Sequence, residues 1–192
     1  MPSTLNKRVK EIGALCLLAL ALLLVLSLAT YDSSDPTLLT TSPGRGAVRN
    51  AMGIVGANLA AVLLVTVGAS AYWLPIFLAV AAAWLLQPRP GARPVLLALG
   101  GALLLFATSG LAALHWPSLR LWSEPLPASG GMVGLLLKSS LEYYLKPLGA
   151  SLLLWLCFAV ALLLATPISL ARFALSLTAS LRWLLQRLRT FR

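Results

Sequence analysis

Charge is what this sequence lacks most. Only 10% of its 192 residues are charged, and five are acidic, against roughly 25% charged in an ordinary soluble domain. A water-soluble fold of this size could not cover a chain that is 59% hydrophobic; large apolar patches would remain and aggregate. Histidine is nearly missing. His115 stands alone beside Trp116 and Pro117, with no second ligand at metal-binding spacing. The two cysteines, Cys16 and Cys157, lie inside apolar runs without the paired spacing of a disulfide framework, and read as small hydrophobes. There is no Gly-x-x-x-x-Gly-Lys-Ser/Thr phosphate loop, and no nucleophile stands with a base and an orienting group. No catalytic residue, metal ligand or cofactor site is assigned.

What the chain has is long apolar runs. A hydrocarbon core about 30 Å thick needs about 20 helical residues, and four segments supply them, at about 12–30, 59–86, 95–114 and 148–166. In lipid each backbone amide needs an internal partner, so the spans are helices, and their leucine and alanine suit that. The first run is too long for a signal-peptide core and Tyr31-Asp32 is a poor cleavage context, so it is read as retained. Pro75 lies inside the second span and predicts a kink there, with Gly68, Ala69, Ser70 and Ala71 before it as a notch for a neighbouring helix. The middle of every span is free of acids and bases, which disfavours a transport pathway. Thr66, Ser70 and Ser109 are expected to bond to their own helices.

The basic residues set the orientation. Lys7, Arg8 and Lys10 precede the first span, Arg89 and Arg93 lie in the 87–94 turn, and five arginines lie in 167–192. Arg45, Arg49, Arg120, Lys138 and Lys146 fall on the other side with Asp32, Asp35, Glu124 and Glu142. Positive residues favour the cytoplasmic face, so both termini are expected there. Residues 1–11 form a cytoplasmic tail and 12–166 the membrane domain. In 167–192, Phe173, Leu177, Leu181, Leu184, Leu188 and Phe191 make one helical stripe. Arg172, Arg182, Arg187 and Arg189 make this an interfacial basic helix, suited to anionic headgroups and leading to a possible linker.

Glycines punctuate the outer side. Gly53-Ile-Val-Gly56 is followed by Gly68-Ala69, and Gly131-Met-Val-Gly134 by Gly149-Ala150. This reads as an internal repeat of span, outer loop, glycine-marked helix and span, with glycine notches at helix contacts. In the second unit Lys138, Glu142 and Lys146 follow at four-residue steps, with Glu142–Lys146 in the favourable order for an ion pair. Val133, Leu137, Leu141, Tyr144, Leu145 and Leu148 take the other side, so the helix is expected on the outer leaflet. Tyr143, Tyr144, Trp73, Trp116 and Trp122 suit the same interface.

The first span ends in Tyr31-Asp32-Ser33-Ser34-Asp35-Pro36, a Tyr-x-x-x-Asp-Pro outer loop. Then come Val48-Arg49-Asn50-Ala51-Met52-Gly53, Gly56-Ala57-Asn58-Leu59-Ala60 and Gly68-Ala69-Ser70-Ala71-Tyr72-Trp73-Leu74-Pro75. Ser129-Gly130-Gly131-Met132-Val133-Gly134 and Leu148-Gly149-Ala150 complete the order. Together these resemble the N-terminal four-helix membrane domain of FtsK/SpoIIIE-type DNA translocases, over most of residues 12–166. The family often has proline where Ser33 stands, which leaves this turn less rigid. Its long linker and ATP-driven motor are absent from these residues, so the chain is either a piece of such a protein or a stand-alone or split membrane domain.

The resemblance implies an anchor in the bacterial inner membrane at the division septum, acting in cell division and chromosome segregation. Its partners would be the bilayer, septal membrane proteins and copies of itself (a hexamer, by family), with DNA reached only through the absent motor. Asp32 and Asp35 are also placed to cap turns or helices, and Asp35-Pro36 favours a turn. The fold expected is all-α: four transmembrane helices as two hairpins with interfacial amphipathic helices. The alternative is an independent small membrane transporter or channel.

Overall fold

The computed structural model describes residues 2–39, 47–86, 94–118, 120–121, 124–125 and 128–165. It is helical, with α1 at Pro2–Ala29, α2 at Gly53–Val67, α3 at Trp73–Leu86, α4 at Pro94–His115 and α5 at Gly131–Ala165. A 3₁₀ turn, Gly68–Tyr72, joins α2 to α3. One two-residue pairing, β1 (Arg120–Leu121) against β2 (Glu124–Pro125), is antiparallel with Arg120 opposite Pro125. Among the described residues, four stretches are long and apolar enough to cross a membrane: Lys7–Ala29, Gly53–Leu86, Val95–His115 and Gly131–Ala165.

The helices form two antiparallel pairs. Gly13 meets Leu85 at one end of α1 and α3, and Leu28 meets Tyr72 at the other. Gly100 meets Leu164 and Ala165 at one end of α4 and α5, and His115 meets Ser151 at the other. The Leu28 and His115 ends carry the two long connections and are called the loop end below. There α2 packs against both α1 and α5, tying the pairs together.

The packing follows from the solvent. Lipid tails are as apolar as leucine, so burying a large side chain between helices gains little, and close approach of backbones gains more. Accordingly Ala14, Ala57, Ala60, Ala71, Ala82, Ala107, Ala150 and Ala161 are buried, while Ile12, Leu15, Leu22, Leu152 and Leu156 point outward. Around Leu28, Ala60, Leu64 and Ala71, the half-buried Tyr31 and Tyr72 complete a small core near the loop end.

Two expectations need correction. The second span breaks at Gly68–Tyr72, not at Pro75. Pro75 is the third residue of α3, where the N–H it lacks would have had no intrahelical partner, so it begins a helix instead of bending one. In α5 the run 131–165 is interrupted at Lys146, which has φ 56° and ψ 169°. That non-helical residue ends the four-residue stepping from Lys138, and Glu142 and Lys146 form no ion pair. The first limb of α5 also leans on α4, since a Cβ at Gly134 would strike the Ser109 carbonyl. Its exposed face carries Met132, Leu135, Leu136, Ser139 and Tyr143, and Lys138 and Glu142 are half-buried. At the other end, α1 reaches back through the basic residues of the 1–11 segment, with Lys7 4.0 Å from Glu11. The 87–93 turn and the whole of 167–192, with Arg172, Arg182, Arg187 and Arg189, lie outside the described residues.

Candidate functional site: the loop-end junction

Helix α1 stops with carbonyls that have no partner in their own helix. Side chains from further along the chain supply the donors. The Asn50 amide donates to Ser27 O at 2.8 Å and Thr30 O at 3.2 Å. The Tyr72 hydroxyl donates to Leu28 O at 3.0 Å. Asn50 Oδ1 in turn accepts from the Met52 N–H at 3.0 Å, so one amide fastens the end of α1 to the entry of α2.

Two carboxylates organise the same loop. Asp35 is 2% exposed and takes the backbone N–H groups of Arg49 (2.7 Å) and Asn50 (3.0 Å), one on each oxygen. An ionised carboxylate between two backbone donors makes charge-assisted bonds of above-average strength. Asp32 accepts from the Ser34 hydroxyl at 2.6 Å and the Ser34 N–H at 2.8 Å, and from the Arg49 guanidinium at 3.0 Å. The Ser34 hydroxyl first, then its backbone N–H and Arg49, hold the Asp32 carboxyl below its usual range, against a partial opposing effect of burial. Asn58 adds a further tie, accepting from Leu38 N and donating to Ile54 O, both at 2.8 Å.

Between the two helix pairs lies a buried knot of serine and glycine. Ser109 Oγ on α4 is 2.7 Å from both Val67 O and Gly130 O. Its single proton serves one of them at a time. The Ser70 hydroxyl donates to Val67 O at 2.6 Å and lies 3.2 Å from Ser109 Oγ. Ser129 Oγ donates to Ala112 O at 3.0 Å. The Ala69 N–H donates to Ser129 O at 2.8 Å, directly from the break after α2 to the turn before α5. A Cβ at Gly68 would collide with Ser129 O, and one at Gly131 would lie 2.5 Å from Gly68 N. Only two glycines allow this backbone-to-backbone contact. Ser109 thus bonds across elements, unlike Thr66, which bonds to Val62 O of its own helix.

The repeat read from the sequence is present, with a different register at its second marker. Four described residues have positive φ, and they form two pairs: Gly53 with Gly131 and Gly68 with Lys146. The second member follows the first by fifteen residues in both halves. The turns before the two helices also match, with Gly53 N–H on Asn50 O and Gly131 N–H on Ala128 O, then Gly56 on Met52 O and Gly134 on Gly130 O. The counterpart of Gly68 is therefore Lys146. Gly149 repeats the Gly-Ala-Ser string of Gly68, yet a Cβ there would meet only Leu145 of its own chain segment.

With this geometry, the matches to known proteins are specific. Residues 6–178 match the family described as the 4TM region of DNA translocase FtsK/SpoIIIE. The chain belongs to that family. It is 36% identical over 174 residues to DNA translocase FtsK 2 of Ralstonia nicotianae, covering 84% of this chain and 22% of the relative. It is 31% identical over 180 residues to DNA translocase FtsK of Pseudomonas syringae pv. tomato, covering 86% and 21%. To DNA translocase FtsK of Vibrio parahaemolyticus it is 33% identical over 170 residues, covering 85% and 16%. The chain thus spans about a fifth of the length of the curated relatives it matches. No solved structure matches it. Family membership and four apolar helices make it a multi-pass inner-membrane protein.

In this FtsK-family domain the separate motif segments meet at one place. Tyr31 packs on the small core, Asp32 and Asp35 hold the 49–50 backbone and side chain, and Pro36 follows the buried Asp35. Gly56 lies under Asn50 and Ser27, whose hydroxyl donates to Gly56 O at 2.7 Å. Gly68, Ala69, Gly131 and Gly134 form the knot. These notches are filled from within the chain, not held open for a neighbour. Sequence reading missed the ties made by Ser27, Asn50 and Asn58, and the strained Lys146. A polar residue within an apolar run close to a span's end was the available signal for Ser27 and Ser109.

Proposed function

We propose that this chain is the non-catalytic membrane anchor and assembly module of an FtsK-like DNA translocase, acting at the division septum in chromosome segregation. In this reading both termini are cytoplasmic, the loop end faces outward and meets septal membrane proteins, and copies of the domain associate, as a hexamer by family. DNA is reached only through a motor carried elsewhere in the protein. The observation that carries the reading is the buried loop-end junction. It uses the buried serines and the glycine breaks to weld two helix pairs into one body, and among the described residues no buried side-chain polar atom is left without a hydrogen-bond partner. A rigid body with small residues inside and large ones toward lipid suits a tether that bears load. The basic segments 1–11, 87–94 and 167–192 support the orientation.

Two measurements test it. Reporters fused after Arg89 should be active only in the cytoplasm, and reporters between Pro36 and Arg45 only when exported. A fluorescent fusion of the whole natural protein should form a band at the constriction site in dividing cells. An even signal around the cell envelope would remove the septal part of the reading.

A further inference from the structure

The joint between the halves uses one surface from each. The first half contributes the break after α2 (68–69), and the second the turn before α5 (129–131). Because the halves are repeats, each surface has a counterpart. The turn before α2 (51–53) matches 129–131, and the break in α5 (146–147) matches 68–69. Each counterpart keeps an open face: Ala51 is exposed with Met52 and Gly53 half-buried, and Lys146 and Pro147 are exposed. A Cβ at Gly53 would meet nothing within 4 Å, and Ile54 and Val55 are 56% and 69% exposed. Every residue from Tyr143 to Leu148 is exposed, with Tyr144 at 79% and Leu148 at 75%.

We propose that a second copy of this chain covers both, the α5 break of one copy seating on the turn before α2 of the next. The inference rests on the reading that copies associate, and it names the surfaces they use. Both surfaces lie at the loop end, so copies standing side by side in one bilayer bring them to the same depth. The two surfaces differ, so the contact is heterologous, and repeating it closes a ring if the rotation per copy allows. The contact between copies is looser than the one inside the chain. Pro147 stands where Ala69 supplies an N–H, and Lys146 carries a Cβ where Gly68 has none. Side chains replace backbone: Tyr144, Leu145 and Leu148 against Ile54 and Val55. A wider, apolar contact of this kind can open, while the knot within the chain cannot without breaking its hydrogen bonds.

The test is disulfide trapping in the full-length protein in its native membrane, with Cys16 and Cys157 replaced by alanine. Cysteines at Val55 and Tyr144, or at Val55 and Leu148, in the same chain should give a ladder of linked multimers on mild oxidation. V55C or Y144C alone should stay monomeric, and mixing the two single variants should give dimers only. An amine-reactive cross-linker applied to the same variants reports whether they still associate. Multimers captured by that reagent without any disulfide ladder would overturn this interface and leave association standing. No multimers by either route would overturn both. Dimers from a single-cysteine variant would mean like-to-like pairing and would also overturn it.

Discussion

The first half of this domain and the second share a backbone plan and differ at the joint. In the first, the break after α2 is a glycine at φ 65°, buried against the other half. In the second, the same position is Lys146 at φ 56°, exposed, followed by Pro147. Glycine adopts positive φ freely. A lysine at φ 56°, ψ 169° sits where side-chain-bearing residues are strained, at a cost on the order of 1–3 kcal/mol, and proline after it removes the helical alternative. The helices that open the two units diverge too. Helix α2 has no charged residue, whereas the first limb of α5 carries Lys138, Glu142 and two tyrosines. The same unit has been closed by packing in one half and left open in the other.

The comparison breaks most severely at Gly68. Gly68→Ala adds strain at positive φ and a collision with Ser129 O, together roughly 3–5 kcal/mol, and should abolish the folded species in detergent by gel filtration and thermal melting. Gly149→Ala, at the matching sequence string, should stay within about 1 kcal/mol of the parent because only Leu145 lies near. Equal losses at the two sites would refute the register drawn here. Asp35→Ala comes next. Two buried backbone donors lose their acceptor, a loss of about 2–3 kcal/mol, visible as faster proteolysis between α1 and α2; Asp32→Ala should be milder because Asp32 is partly exposed.

A change of opposite sign is expected at Lys146. Replacement by glycine relieves the strained φ but adds chain entropy to the unfolded state, for a net gain of about 1 kcal/mol, read as a higher melting temperature. A loss there would mean that the lysine side chain holds the joint. The smallest effect concerns pH. The folded Asp32 carboxyl titrates below its unfolded value, so its contribution is fully present above the unfolded value and lost as pH falls through the folded one. The loop between α1 and α2 should therefore loosen only in the strongly acidic range below the usual carboxylate titration. Asp32→Asn should flatten that part of the profile, followed by protease sensitivity against pH.

Much of this was legible in the residues. Four apolar runs became helical segments, the second of them split into α2 and α3, and paired glycine markers gave the repeat. The misread details share a cause. Pro75 drew the kink because proline is a local signal, but its place in the first turn of α3 depended on where Gly68 ended α2. Gly149 was paired with Gly68 because the letters agree, while the backbone pairs Gly68 with Lys146. The bonds from Asp35 to the backbone of residues 49 and 50 join positions fourteen and fifteen apart, and no periodicity reports a contact across a loop.

The sequence by itself determined the solvent, the helical class and the number of spans, because hydropathy and length are properties of each segment alone. It also restricted which positions could turn tightly, through glycine. Which glycine would face which carbonyl was decided only when the two halves met. A residue without a side chain permits close approach by anything, and the choice of neighbour belongs to the packed structure, where Ser129, Gly130 and Gly131 occupy the space that Gly68 leaves.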